Sequence, residues 1–177
     1  MNVSQAQADV RRVYRAGFPG PLISAVIWAV ANAVFIWVSP SAAMVVLFVG
    51  GMLIFPLTTL VLKLMGGPAT LPKGHPSVAL AMQSAFTVPF GLLVAIVLGA
   101  YEPALFFAAS LIIVGAHYLV FISLYGLRVF GVLAGVLIVL GTVVLFLAPG
   151  LGSITGWLGA AVLAVFGAVL FRARNAR

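Results

Sequence analysis

One histidine sits inside an almost uncharged stretch of this chain, the run IVGAHYLVFISLYGLR over residues 113–128. An imidazole both donates and accepts hydrogen bonds, and it changes charge closer to neutral pH than any other unperturbed side chain. His117 could therefore bind a solute, carry a proton or tie two helices together. Few other polar side chains share its apolar surroundings. At about 1.5 Å per helical residue, His117 and Thr87 lie at matched depths in their own segments. The partners expected for the ring are Gln83, Thr87, Asn32 and Thr59, in that order, with Tyr118 beside it. An unpaired polar ring in hydrocarbon costs several kcal/mol, so a partner or a water is required.

Several chemistries are poorly served by these residues. The chain has no cysteine, two histidines and two acids, Asp9 and Glu102, too few for a convergent metal site. No metal or cofactor is expected. Ser110 shares a helical face with His117, yet it stands about 10 Å further along the same helix, and no Gly-x-Ser-x-Gly turn is present. No catalytic residue is assigned and no enzyme is expected. What remains is a small-solute or lipid binding or transport bundle with a polar pocket among its first four membrane helices, or alternatively a non-catalytic accessory or structural membrane protein.

The elements that must position these groups follow from composition. Hydrophobic residues make up 64% of the chain and charged residues 6%, against about a quarter charged in soluble domains. Such a chain cannot cover itself with a solvated surface, so its partner is the lipid bilayer. An α-helix needs about 20 apolar residues to cross a hydrocarbon core. Five interruptions, Ser39-Pro40-Ser41, Gly66 to Ser77, Tyr101-Glu102-Pro103, Tyr125 to Arg128 and Ala148 to Ser153, cut the chain into six such pieces. The expected spans run roughly over 20–38, 42–65, 78–100, 104–125, 129–147 and 154–171, an all-α integral membrane bundle over 17–171. The apolar run from Gly17 to Val38 is longer than a signal-peptide core of about 7–15 residues, so an uncleaved start is expected.

All nine basic residues fall on one side of that arrangement: Arg11, Arg12, Arg15, Lys63, Lys73, Arg128, Arg172, Arg174 and Arg177. The positive-inside rule then places both termini in the cytoplasm. These charges suit anionic lipid head groups better than nucleic acid. Residues 1–16 carry Val3, Ala6, Val10, Val13 and Tyr14 at helical spacing, with Ser4-x-x-Gln7 as a capping box, and predict a short amphipathic helix on the cytoplasmic leaflet. Residues 172–177 form a basic tail.

Two further patterns bear on packing. Pro56 and Pro89 each remove a helical donor and free a carbonyl one turn earlier, so the second and third spans should bend around something. Gly131, Gly135 and Gly141 in the fifth span, and Gly152, Gly156 and Gly159 in the sixth, predict close packing of those two helices, within one chain or in a homo-oligomer.

The run Gly115-Ala-His-Tyr-Leu119, with Phe121, Tyr125-Gly126, the upstream Phe18-Pro-Gly-Pro21, His75-Pro76 and Ala81-Met-Gln83, resembles a family of small bacterial multi-pass membrane proteins of unknown function. Val120 stands where that family's pattern has proline. The resemblance implies a six-helix fold in a bacterial inner membrane and no particular activity.

Overall fold

The computed structural model describes residues 1–175, with side chains placed through Ala173. The last two residues of the basic tail expected over 172–177 lie outside the described residues. The chain forms α1 (Val3–Val13), α2 (Pro19–Trp37), α3 (Pro40–Leu64), α4 (Ser77–Tyr101), α5 (Leu105–Tyr125), α6 (Val129–Phe146) and α7 (Thr155–Asn175), with short 3-10 turns at Arg15–Gly17 and Pro149–Ile154. Six helices among the described residues are long and apolar enough to cross a membrane. The chain is a multi-pass, all-α membrane protein.

Helix ends coincide with the punctuation in the sequence. Pro19 and Pro40 occupy first-turn positions, where a missing N–H costs nothing. The Ser39 side chain accepts from the Ala42 amide and caps α3. Gly126 ends α5 at φ +65°, a left-handed conformation that glycine adopts without strain. Outward faces carry large apolar residues such as Val45, Phe90, Val97, Val139 and Val165, the inverse of a water-soluble surface. With lipid as solvent, shape and polar contacts must hold the helices together.

Connection lengths decide the arrangement. α2–α3, α4–α5 and α5–α6 are joined by tight turns, and each pair packs along its length. The stretch from Met65 to Pro76 between α3 and α4 is much longer, and those helices touch only sparsely. α7 closes the far side by lying against α2. Trp28 and Phe35 of α2 meet Phe107 of α5 at ring-centre distances of 5.9 and 5.5 Å and tie the halves together.

The small-residue packing is real, but its partners differ from the expectation. α6 packs chiefly on α5 and α7 on α2, with the α6–α7 contact much smaller. A Cβ on Gly141 would come within 2.6 Å of the Ala108 carbonyl oxygen, and one on Gly115 within 3.0 Å of that of Ala134, both across the α5–α6 interface. Gly156 and Gly159 face Asn32 and Trp28 of α2. Gly135 meets nothing within 4 Å, so it does not serve an α6–α7 contact. A spacing of four states which face is small; it carries no information on which helix fills the groove.

α1 also differs. Its cap is a reciprocal box between Asn2 and Gln5, with bonds of 2.9 and 3.0 Å, and not the Ser4–Gln7 pair. Ala6, Val10 and Val13 are buried against the chain itself while Val3 is exposed. The apolar stripe therefore docks on the bundle itself, at the end where α3 and α5 finish. Gln7 Nε2 donates to the Ser123 carbonyl at 2.9 Å and Arg11 donates to that of Tyr125 at 2.5 Å. Arg15 donates to the Met65 carbonyl at 2.6 Å. The last carbonyls of a helix lack intrahelical donors and carry negative partial charge, so these two arginines complete α5 and α3.

Candidate functional site

Between α2, α3, α4 and α5, under α1, lies a cavity of about 380 Å³. That is within the range of roughly 300–1,000 Å³ typical of small-molecule sites. Its walls are mainly apolar, among them Leu47, Leu92, Val114 and Phe121, and no charged side chain is among the described lining residues. Val10 and Tyr14 cover its α1 end. Met52 and Phe55 of α3, and Met82 and Phe86 of α4, line the cavity and are exposed. They stand on the two helices whose mutual contact is sparse.

His117 belongs to this wall. Its Nδ1 lies 2.8 Å from the Ser84 hydroxyl and 2.8 Å from the Ser84 carbonyl oxygen, a link from α5 to α4. A carbonyl can only accept, so Nδ1 carries the proton. Rings hold the imidazole in place: Phe121 at 4.7 Å and Tyr118 at 5.6 Å, both edge-on. Phe121 in turn rests on Tyr125 and on Phe130 of α6.

The partners expected from sequence are distributed differently. Thr87 reaches the same place indirectly, since its hydroxyl donates to the Ser84 carbonyl at 2.7 Å. Gln83 is exposed and lies off the cavity wall. Thr59 bonds back to the Phe55 carbonyl of its own helix at 3.0 Å, the ordinary behaviour of threonine in a helix. Asn32 is fully buried at the opposite end of the bundle, where its Nδ2 donates to the Ser153 carbonyl at 3.0 Å. Tyr118 is buried and lines the cavity as expected.

Ser24, Thr58, Tyr14 and Tyr125 are further polar residues of the wall, and Ser84 stands behind it, bonded to His117. Ser84 was missed because Gln83 is the longer and more polar neighbour. A signal existed: Ser84, Gly91, Ala95 and Gly99 form a small-residue face, which packs on Ile113 at Gly91 and on Phe106 at Gly99, both of α5. Tyr14 lies outside the spans; burial raises its phenol pKa, partly offset by a backbone hydrogen bond with Leu71.

A serine hydroxyl 2.8 Å from an imidazole is also the spacing of a nucleophile and its base. Here the nitrogen beside the hydroxyl is the protonated one, which cannot take a proton from it. Ser110 is fully buried, bonded to the Phe106 carbonyl at 2.8 Å.

A match to the Family of unknown function (DUF7010) covers residues 3–173, from the first residue of α1 to two residues short of the end of α7. The chain belongs to DUF7010. No curated protein and no solved structure matches it. For this DUF7010 member the site must therefore be read from its own chemistry.

Proposed function

We propose that this DUF7010 protein binds a lipid-derived molecule taken from the bilayer through the gap between α3 and α4, as a binding or carrier protein and not as an enzyme. The observation that carries this reading is the cavity itself, which joins an apolar wall to a few uncharged polar groups and has the exposed apolar side chains Met52, Phe55, Met82 and Phe86 on its α3 and α4 walls. A water-soluble ligand needs an opening toward water, yet Val10 and Tyr14 cover the α1 end of the cavity. His117 and Tyr118 are the proposed contact residues. Ser84 and Thr87 act behind His117, and Gln83, Asn32 and Thr59 drop out of the proposed site.

Native mass spectrometry of the protein released from lipid nanodiscs is the test. Wild type should carry a bound single-chain lipid. Gly51 lines the cavity, and a Cβ there meets only Leu92 Cδ1, at 3.7 Å, so Gly51→Trp should fill the space without disturbing the backbone. The adduct should vanish in that variant while its melting temperature stays near wild type. Wild type without lipid, or equal lipid on both proteins, would sink the reading.

The orientation proposed is cytoplasmic for both termini in a bacterial inner membrane. Arg12, Lys63, Lys73, Arg128 and Arg172 are exposed at the α1 end, where anionic head groups would add about 1 kcal/mol per cation. The chain has no cysteine, so Ser41→Cys, Glu102→Cys and Gly150→Cys each create a unique thiol. All three should react with an impermeant maleimide added outside intact cells, and thiols placed at either terminus should not. Labelling of a terminus from outside would overturn this topology.

A further inference from the structure

We infer that the occupant of the cavity is a neutral single-chain lipid whose head donates hydrogen bonds, of the long-chain alcohol or monoacylglycerol class, and that His117 Nε2 accepts from it. This rests on the reading of the cavity as a lipid site and adds the chemistry of the head group.

The polar atoms with a fixed role in the wall are acceptors. His117 Nδ1 is 2.8 Å from the Ser84 carbonyl and must bear the proton. In the neutral ring Nε2 then holds a lone pair, and no partner for it is found among the described residues. The reverse arrangement, with the Ser84 hydroxyl donating to an unprotonated Nδ1, would press a lone pair against a carbonyl oxygen at 2.8 Å.

Two further acceptors come from the helix-interior prolines. Pro56 and Pro89 withhold the N–H that would meet the carbonyl four residues earlier. Those residues are Met52 and Ala85, and both line the cavity. A carbonyl left without a donor at membrane depth must be met by another group. Thr58, also on the wall, has a buried hydroxyl without a partner.

Charge separates the remaining candidates. A carboxylate or phosphate head would lose its hydration with no cation on the wall to replace it. Arg11 and Arg15 are committed to the Tyr125 and Met65 carbonyls. An ester head group is neutral but has no hydrogen to give. Hydroxyl heads meet both conditions.

Trp28 lines the cavity and reports occupancy by quenching. In a Trp37→Phe, Trp157→Phe background of the full chain in phosphatidylcholine nanodiscs, dibrominated oleyl alcohol, methyl oleate and oleate are titrated at pH 8. The alcohol should quench Trp28 at about tenfold lower mole fraction than the ester, the effect of one buried hydrogen bond, and the acid should be weaker still. His117→Phe should bring alcohol and ester to the same value. Ser110→Ala, on the same helix as His117 but off the wall and bonded only to the Phe106 carbonyl of its own helix, should retain the preference, a control against general damage to α5. Equal quenching by alcohol and ester in wild type would overturn the head-group assignment while leaving a lipid cavity standing. A preference that survives in folded His117→Phe would overturn the role of Nε2. No quenching of Trp28 by any of the three would overturn the assignment and the lipid reading together.

Discussion

Gly141→Leu should collapse the thermal stability of the bundle, while Gly135→Leu, six residues away on the same helix, should leave it near wild type. At Gly141 the first added carbon would sit 2.6 Å from the Ala108 main-chain oxygen and 2.8 Å from Ile112 Cγ1. A side-chain neighbour can rotate aside, but a helix backbone cannot move without separating α6 from α5 along the most extensive interface in the protein. Overpacking a well-filled core costs about 1–3 kcal/mol, and contact with main chain belongs at or above the top of that range. Gly135 has open space where its side chain would grow. The measurement is a melting curve of each variant in detergent, with wild type alongside. Equal melting of the two variants would show that α6 packs through some other face.

Val10→Asp should release α1 from the end of the bundle on which it docks without unfolding the six spans. Val10 is 2% exposed and belongs to both the core and the cavity wall. Placing a carboxylate there leaves a buried charge with no partner, a penalty of several kcal/mol. The bonds from Gln7 and Arg11 to the end of α5 are the restraints that oppose release, and each contributes only about 0.5–3 kcal/mol. Ser24 lies on the cavity wall and is 3% exposed, so Ser24→Cys reports on the cover. Its thiol should react slowly with a maleimide presented to inverted vesicles, and at least about tenfold faster when Val10→Asp is added, since each 1.4 kcal/mol shifts such an equilibrium tenfold. Unchanged labelling with a normal melting curve would mean that α1 does not control access to the cavity.

The number of spans and the chemistry of the candidate site were legible to different degrees. Six spans could be read directly because each boundary is a local event: a proline at a first turn, a serine cap, a left-handed glycine. His117 could be singled out because an imidazole in an apolar run is conspicuous on any reading. Its partner could not. Ser84 and Gln83 are adjacent in the chain, but a helix turns about 100° between them, and the facing of α4 on α5 decides which of the two meets the ring. Thr87 stood at the right depth, yet it reaches the ring only through the Ser84 carbonyl. Asn32 was drawn toward the same pocket by type alone, whereas its helix carries it to the far end, beside Ser153.

By itself the sequence determined the environment, the number of spans and the short helix that precedes them, because hydropathy, cap residues and breakers act within a few residues of chain and need no knowledge of neighbours. It also determined that small residues would be packed against something. Only the tertiary structure decided what: α5 for Gly141, α2 for Gly159, open space for Gly135. It likewise turned the apolar stripe of α1 onto the bundle, committed Arg11 and Arg15 to helix ends, and parted α3 from α4 to leave a cavity. The physical reason is that helices in lipid gain little from burying apolar surface. Pairing then rests on shape, on loop length and on a few polar bonds between residues more than thirty positions apart, such as Ser84 and His117.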